Sequence, residues 1–507
     1  KMSRTITRVS TDTGGDETVN NITELDTTIT ESNSSSDGIS DVQSLEADKT
    51  RSINNQNKNI YLASIKSIGT DIQFPTADLN FIPLYGQSLA DAYESDIQLT
   101  TANVGGNRQI GNHPYYLPSF VGFTNLIAGT LANSKEYANI HFANRLKIEI
   151  DKSSFSGTAD NKMLVNTMGK GGNAIEQLSK GWTQGLVGGL NQYEYGFLGS
   201  LNQAKTEADS SGETIVCHSI MWIQGEANSV GVWGTNRDGT TPTGNPTKVK
   251  ATYKSYLLDL KNDMQNDIIS VLGQTKKPLF FMSVNGARHS TNFDNPIQMA
   301  QLEFADENDD VIISNPTYFA PDNGSHLSSN GYRLLGESFG KKGYQTFIEN
   351  KKHPALKPSL IEITGSSVLI NIPTLHPLKT DTNTVKPQTD LGFEVKKDGT
   401  LVSINSIVVE DTFITIDCNQ TLTGTIEVAY ANNQNGSSDL AIVGHGNIRN
   451  TDNFPSLYNW GDDTSSSFFG NRTWEALADD GVTKLTSTTQ PYHCYDWLLP
   501  FYYSFSI

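Results

Sequence analysis

The chain has 507 residues, of which 36% are hydrophobic, and a formal net charge of −18. Its length exceeds what one hydrophobic core usually holds, so roughly two to four domains are expected. The acidic balance, without a basic patch, argues against binding to nucleic acid or to anionic membranes, and no apolar stretch is long enough to be inserted in a membrane.

The N-terminal region, residues 1–70, is predicted to be a low-complexity leader or stalk. Its first 58 residues are dominated by Thr, Ser, Asn and Asp, and no secretory signal opens the chain. Such a composition alone buries too little apolar surface to become ordered. Yet the spacing of Ile22, Leu25 and Ile29 fits a short heptad seam. Two interpretations therefore stay open, a disordered leader and a stalk ordered by self-association.

Residues 71–348 alternate short apolar runs with helical periodicity, which is typical of an α/β domain with a parallel sheet. Strands are predicted at 79–85, 162–168, 214–223, 278–284 and 310–314. Helices are predicted at 88–94, 173–181, 251–268, 296–307 and 328–347. Pro83 lies inside the first strand, where a bulge or local distortion is expected because proline cannot donate to the sheet.

The region after residue 348 is predicted to be mainly β-structure. Residues 349–358 contain two prolines and several charges and are interpreted as a linker. Short alternating runs separated by Gly, Asp and Asn predict a small β-sandwich over 359–435. The segment 436–507 is irregular and rich in Tyr, Trp and Phe, so we expect it to pack onto the rest of the protein.

The stretch FIPLYGQSLADAYESD, residues 81–96, places a serine where the first strand turns into the first predicted helix. Gly86 permits a tight turn. Ser88 would then lie at a helix N-terminus, where free N–H groups favour developing negative charge. That position suits a hydrolase nucleophile, but it also suits an ordinary N-cap serine. From this stretch alone both roles remain possible.

Two further stretches follow predicted strands. In MGKGGNAIEQLSKG, residues 168–181, the backbone N–H groups of Gly171 and Gly172 are candidate oxyanion donors, with a plain strand-to-helix turn as the alternative. In SIMWIQGEAN, residues 219–228, an apolar strand ends in polar side chains. Gln224 is a candidate donor to the same oxyanion, and Glu226 is a candidate supporting residue rather than a general base.

A histidine precedes the last predicted helix of this domain, in APDNGSHLSSNGYRLLGE, residues 320–337. His326 has Asp322 and Asn323 close before it, and a histidine oriented by an acid is the base that a nucleophilic serine needs. His289 also follows a sheet strand and is the alternative base. All these candidates lie just beyond the C-terminal ends of separate strands, where open α/β sheets bind their ligands.

Four sequence blocks in this order resemble the SGNH/GDSL hydrolases, and among them the sialate O-acetylesterase-like carbohydrate esterases. The blocks are GQS, GG-x-x-I, W-x-QGE and a late H-L-x-x-x-GY-x-x-LGE. The resemblance covers residues 75–347. It implies a flavodoxin-like three-layer α/β/α fold and the hydrolysis of esters, typically acetyl esters of sugars, with no metal and no cofactor.

By position in these blocks, the resemblance makes Ser88 the nucleophile and His326 the base. The oxyanion hole that it implies consists of the Ser88 N–H, a Gly171 or Gly172 N–H and the Gln224 side chain. Histidine would take the serine proton while the hydroxyl attacks the acetyl carbonyl, and water would then release the acetyl-enzyme.

The last block departs from the Asp-x-x-His pattern of the family, because Asn323 stands three residues before His326 and Asp322 is one position off. Either a one-residue insertion lets Asp322 orient the histidine, or a Ser–His pair works with an amide or a carbonyl. A carboxylate stabilises the imidazolium better than an amide, so Asp322 is the predicted third member. Glu226 matches the acid of the third block, which is not the triad acid.

The flanking regions resemble, more loosely, phage tailspike or tail-fibre proteins that deacetylate bacterial surface polysaccharide. This implies an acetylated polysaccharide as substrate, an extracellular or virion location, and a homotrimer or other homo-oligomer formed through the leader. The main alternative is a glycan-binding adhesin on an inactive esterase fold. A lipase or thioesterase is a third hypothesis, which the polar, Gly- and Thr-rich loop 229–247 disfavours.

Overall fold

A computed structural model describes residues 36–111, 119, 121–127, 135–153, 160–183, 189–230, 249–286, 293–320, 326–432, 444–463, 465–467, 477, 481–485 and 491–507. The α-helices in this part of the chain are α1 (Ser36–Ser64), α2 (Ala138–Lys152), α3 (Ile175–Leu178), α4 (Gly199–Ser211), α5 (Glu226–Val230), α6 (Lys250–Leu272), α7 (Pro296–Glu307) and α8 (Ser329–Gly343). The strands of the α/β region are β1 (Lys66–Ser67), β2 (Leu79–Gly86), β3 (Arg108–Ile110), β4 (Phe123–Asn125), β5 (Lys162–Gly169), β6 (Ile215–Cys217), β7 (Ser219–Ile223), β8 (Leu279–Val284) and β9 (Val311–Pro316). The strands that follow are β10 (Lys351–Lys352), β11 (Leu360–Thr364), β12 (Ser367–Asn371), β13 (Leu378–Thr380), β14 (Phe393–Lys397), β15 (Thr400–Val402), β16 (Ile404–Val409), β17 (Phe413–Cys418), β18 (Thr425–Tyr430), β19 (Ile448–Asn450), β20 (Pro455–Asn459), β21 (Pro491–His493) and β22 (Phe501–Ser506).

The α/β domain is built on one sheet with the strand order β4-β3-β5-β2-β7-β8-β9, in which β6 also pairs with β2. Only the β3–β4 pair is antiparallel among these described strands. The five strands β5-β2-β7-β8-β9, taken across the sheet, are the second, first, third, fourth and fifth of this set along the chain. This is the flavodoxin-like, doubly wound order, and it confirms the predicted fold class.

Helices cover both faces of this sheet, because successive side chains of a buried strand point to opposite faces. From β2, Ile82 and Leu84 belong to the core on the side of α2 and α8, whereas Phe81 and Tyr85 belong to the core on the side of α4, α6 and α7. All eight residues of β2 are buried. The sheet is therefore the middle layer of a three-layer α/β/α domain.

Pro83 leaves the register of its own strand intact, since β2 pairs with β5 without interruption from Leu79 to Gly86. The expected distortion falls on the neighbouring strand. Pairing of β2 with β6 stops at Phe81 and resumes with β7 at Leu84, and the break between β6 and β7 lies at the buried His218. The missing proline N–H thus coincides with the gap in pairing.

Most predicted strands of this domain match the structure to within two residues, but one predicted helix was wrong. Residues 88–94 form consecutive turns without an α-helix. Ala92 and Glu94 adopt left-handed φ angles of 46° and 66°, which end the helical path after one turn. The helix predicted at 173–181 shortens to α3, while α2 and α4 were not predicted.

The β-sandwich consists of two antiparallel sheets, with the orders β11-β12-β17-β16 and β15-β14-β18-β22. Its last strand comes from the C-terminal segment, and β22 pairs with β18 from Thr425↔Ser506 to Tyr430↔Phe501. The sandwich therefore extends beyond the predicted range 359–435. The separation along the chain hid this pairing, because the alternating pattern marks a strand but not its partner.

The α/β domain and the β-sandwich pack against each other. One contiguous apolar core contains Leu335 of α8 together with Val368 and Val428 of the sandwich. The region predicted as a linker takes part, since β10 pairs with β1 and Leu356 is buried. The aromatic C-terminal segment packs as expected: the ring of Trp497 lies 6.1 Å from that of Phe319.

Within the N-terminal region, residues 36–64 form the long helix α1, whereas Ile22, Leu25 and Ile29 lie outside the described residues. The C-terminal part of α1 contacts the rest of its own chain. Asn57 Nδ2 donates to the Thr412 carbonyl at 2.9 Å, and Tyr61 Oη lies 3.0 Å from His353 Nδ1. This part of the leader is therefore neither disordered nor detached from the β-sandwich.

The three cysteines, Cys217, Cys418 and Cys494, are buried free thiols. In the described ranges no cluster of three or more His, Cys, Asp or Glu side chains is arranged to hold a metal ion. Among the helices of those ranges, none combines the length and apolar character needed to cross a membrane.

Candidate active site

Three strands end side by side at the C-terminal edge of the central sheet. Gly86 is in register with Gly169 of β5 and with Ile223 of β7. The strand order reverses between β2 and its neighbours, so this edge is the topological switch point at which doubly wound sheets bind ligands. Ser88 and Gln224, two candidates from the sequence, follow β2 and β7 directly.

Ser88 stands on a single tight turn that follows β2. The Asp91 N–H donates to the Gln87 carbonyl at 3.0 Å, and the Tyr93 N–H donates to the Ser88 carbonyl at 3.0 Å. Ser88 is partly exposed, while Gln87 and Leu89 on either side are buried. Because no α-helix follows, the N-cap alternative lacks a helix for Ser88 to cap. The turn instead leaves one serine accessible at the edge of the sheet.

The glycine-rich loop after β5 lies next to this turn. The Lys170 N–H donates to the Gly86 carbonyl at 2.9 Å, which holds the start of the loop against β2. A β-carbon placed on Gly171 would lie 3.9 Å from the Ser88 Cβ. Gly171 is thus brought beside Ser88, and Gly172 follows it with a φ of 72°. Their role as oxyanion donors stays a prediction, which this proximity makes sterically feasible.

Gln224 is buried behind the same edge, and its side-chain amide is engaged at both ends. Its Nε2 donates to the Asn228 Oδ1 at 2.6 Å and to the Asn173 carbonyl at 3.2 Å, and its Oε1 accepts from the Tyr253 hydroxyl at 2.7 Å. The Gln224 Nε2 must give up one of these two hydrogen bonds before it can donate to an oxyanion. Its predicted role in the oxyanion hole therefore needs a local rearrangement.

Glu226 begins α5 directly behind the Ser88 turn. The Ala227 N–H donates to the Gln87 Oε1 at 3.1 Å, which ties the two sequence blocks together. Burial raises the pKa of the Glu226 carboxyl to about 7, and neither of its oxygens has a hydrogen-bond partner among the described residues. Its role as a supporting residue rather than the general base stays a prediction.

His326 is partly buried and lies next to the Ser88 turn. Its ring centroid is 4.9 Å from that of Tyr93, in an edge-to-face arrangement. Its Nδ1 lies 3.1 Å from the Glu94 Oε2, and both side chains are 17% exposed. The structure therefore brings a histidine, a carboxylate and the candidate nucleophile to one edge of the sheet.

Glu94 was not among the candidates from the sequence, although three acids follow Ser88 in LADAYESD. Asp91 forms an ion pair with Lys135 at 3.1 Å, and Asp96 accepts hydrogen bonds from Ser467. The helix predicted over 88–94 gave no basis for choosing which of these acids faces the histidine. The alternative partners of the site, Asp322, Asn323 and the rival base His289, lie outside the described residues.

No family model matches the sequence, and no curated protein matches it either. Among solved structures, the chain is similar to XAC1771, a carbohydrate acetylesterase from Xanthomonas citri, with 13% identity and a TM-score of 0.47 over 74% of this chain and 78% of that one. A protein from Arabidopsis thaliana has 13% identity and a TM-score of 0.37, covering 54% of this chain and 99% of that one. NanS has 12% identity and a TM-score of 0.36 over 54% of this chain and 99% of its own.

Proposed function

We propose that the protein is a serine esterase that removes acetyl groups from a carbohydrate. The observation that carries the proposal is the arrangement around Tyr93. Its backbone N–H donates a hydrogen bond to the Ser88 carbonyl, and its ring lies against the ring of His326. One short turn thus connects an accessible serine hydroxyl to a histidine at the ligand-binding edge of the sheet.

In the proposed mechanism, the Ser88 hydroxyl attacks the acetyl carbonyl while His326 takes its proton. The resulting oxyanion is held by backbone N–H groups of Ser88 and of Gly171 or Gly172. His326 then gives the proton to the departing sugar oxygen, which leaves an acetyl-enzyme. A water molecule, deprotonated by the same histidine, attacks this ester and releases acetate and free Ser88.

The half-exposed ring of Tyr93 supports a sugar substrate. It is 47% exposed and stands beside His326, while Lys135 Nζ lies 5.9 Å from its centroid. An aromatic face of this kind packs against the C–H face of a pyranose, and the nearby ammonium suits hydroxyl groups. A lipid substrate would require an apolar cover, and the loop 229–247 is polar in sequence.

We further propose that the carbohydrate is a bacterial surface polysaccharide and that the protein acts on a virion, as a tailspike-like deacetylase assembled as a homo-oligomer. The low-complexity composition of residues 1–35 supports this finer proposal. Negative-stain imaging of virions with an antibody to the chain tests the location, and light scattering of the full chain tests the assembly. A monomer without virion labelling would contradict both.

The activity is tested by acetate release from a panel of O-acetylated bacterial polysaccharides, in parallel with an acyl ester of long chain length. The proposal predicts acetate from at least one polysaccharide and little hydrolysis of the long-chain ester. Glycan binding without acetate release would favour the adhesin alternative. Faster hydrolysis of the long-chain ester would favour a lipase.

A further inference from the structure

We propose that Glu94 is the positioning residue of His326, the role that the sequence blocks assign to Asp322. The inference rests on the proposed function, in which His326 is the base. The acid that orients His326 would then come from the turn that carries Ser88, six residues after it, and not from the loop that carries His326.

Glu94 and His326 are in direct contact. The Glu94 Oε2 lies 3.1 Å from the His326 Nδ1, an ion-pair distance from which a rotation of the ring would align Nδ1–H with the carboxylate. Each side chain is only 17% exposed, so solvent screens this pair less than it screens a surface ion pair. Donation from Nδ1 fixes the tautomer that leaves Nε2 with a lone pair for the serine proton.

The turn that bears Glu94 has an unusual backbone conformation. Ala92 and Glu94 both have left-handed φ angles, which are unfavourable for residues with a Cβ. Such strain persists only where the surroundings impose it. Here the Tyr332 hydroxyl donates to the Tyr93 carbonyl at 3.1 Å, and Lys135 Nζ donates to the Asp91 carbonyl at 2.9 Å. The turn that bears Glu94 is thus fixed from two sides.

Two other carboxyl groups, those of Asp91 and Glu226, lie on or behind this turn. Asp91 faces Lys135, and Glu226 is buried with a raised pKa. Neither forms an ion pair with His326 in the described part of the chain, whereas Glu94 does. The candidate nucleophile and the proposed positioning acid therefore lie on the same turn, residues 88–94.

The test compares Glu94→Gln with Asp322→Asn, and uses Asp96→Asn to control for the loss of an acid from the same segment. Two quantities are measured in the full chain: the pKa of His326 by NMR, and kcat and KM for acetate release from an aryl acetate. A carboxylate raises the pKa of a neighbouring imidazole by roughly 1–3 units. Glu94→Gln should therefore lower the measured pKa of His326 by at least about one unit.

The same variant should lower kcat by roughly 100-fold or more with little change in KM, because the amide cannot stabilise the imidazolium. Asp96→Asn and Asp322→Asn should leave the pKa of His326 unchanged and alter kcat by less than about fivefold. Glu94→Asp should recover part of the lost kcat. These results together would support the positioning role.

An unchanged pKa of His326 in Glu94→Gln would overturn the inference, and so would a larger kcat loss in Asp322→Asn than in Glu94→Gln. The NMR titration does not depend on turnover. If the wild type released no acetate, the proposed function would fail, while a lowered pKa in Glu94→Gln would still establish that Glu94 orients His326.

Discussion

A β-carbon on Gly86 would lie 2.0 Å from the carbonyl oxygen of Ile223. Gly86 also has a φ of 149°, which residues with side chains rarely adopt. The end of β2 and the end of β7 therefore meet backbone to backbone at this point. This close approach is what lets the chain turn so sharply at Gln87 and present Ser88.

Gly86→Ala should consequently lower the free energy of unfolding by more than about 3 kcal/mol, since neither the backbone conformation nor the carbonyl can give way. Chemical denaturation measures the change. Gly171→Ala is the matched control: its β-carbon meets only ordinary contact at 3.9 Å, so its stability should stay within about 0.5 kcal/mol of the wild type. Equal stability of Gly86→Ala and Gly171→Ala would refute the close packing of the two strand ends.

Glu226 should make the protein less stable as the pH rises from 4.5 to 7. Its pKa in the folded protein is about 7 against an ordinary value of 4.5, so the folded state holds a proton that the unfolded state has released. Glu226→Gln cannot ionise and therefore lacks this pH-dependent loss of stability. Relative to the wild type it should gain about 3 kcal/mol of unfolding free energy between these two pH values. A constant difference across the range would show that the carboxyl is not buried in its neutral form.

His218 should make the protein less stable as the pH falls. Burial lowers its pKa to about 3 from 6.5, so the unfolded state takes up a proton first as the pH falls below 6.5. Between pH 6.5 and 5 this should remove about 2 kcal/mol of stability from the wild type. In His218→Asn that loss should disappear, although the lost packing against Phe347, 4.9 Å away, lowers stability at every pH. Parallel pH curves for the two proteins would contradict the assignment.

The C-terminal strand should be essential to the sandwich. Phe501 is fully buried and its ring stacks on that of Tyr430 at 5.7 Å. Phe501→Ala should therefore cost roughly 3–5 kcal/mol of unfolding free energy. Ser504→Ala, on the exposed side of the same strand, should change little. If both variants unfolded at the wild-type denaturant concentration, β22 would not be part of the core.

Much of the α/β domain was predictable because its strands are buried on both faces and appear as continuous apolar runs. The first and last residues of β2, β5, β8 and β9 follow closely from such runs. Ser88, Gly171 and Gln224 were placed at one edge because parallel strands end together. These predictions needed only local pattern and the rule that the C-terminal ends of parallel strands share one edge.

The remaining features depend on tertiary context. Ala92 and Glu94 have left-handed angles in a turn whose carbonyls accept hydrogen bonds from Tyr332 and Lys135, which lie far away along the chain. The local pattern carries no sign of these contacts, so a helix was predicted there. The pairing of β22 with β18 joins segments separated by about 70 residues. Glu94 could not be chosen over Asp91 and Asp96 until the turn was known.

The proposed function depends above all on Ser88 as the nucleophile of an acetylesterase. The most direct test is acetate release from an aryl acetate by the wild type and by Ser88→Ala, with thermal unfolding as the check on the fold. We expect the wild type to release acetate and Ser88→Ala, equally stable, to lose at least about 1,000-fold in kcat. A folded Ser88→Ala that retains wild-type turnover would contradict it.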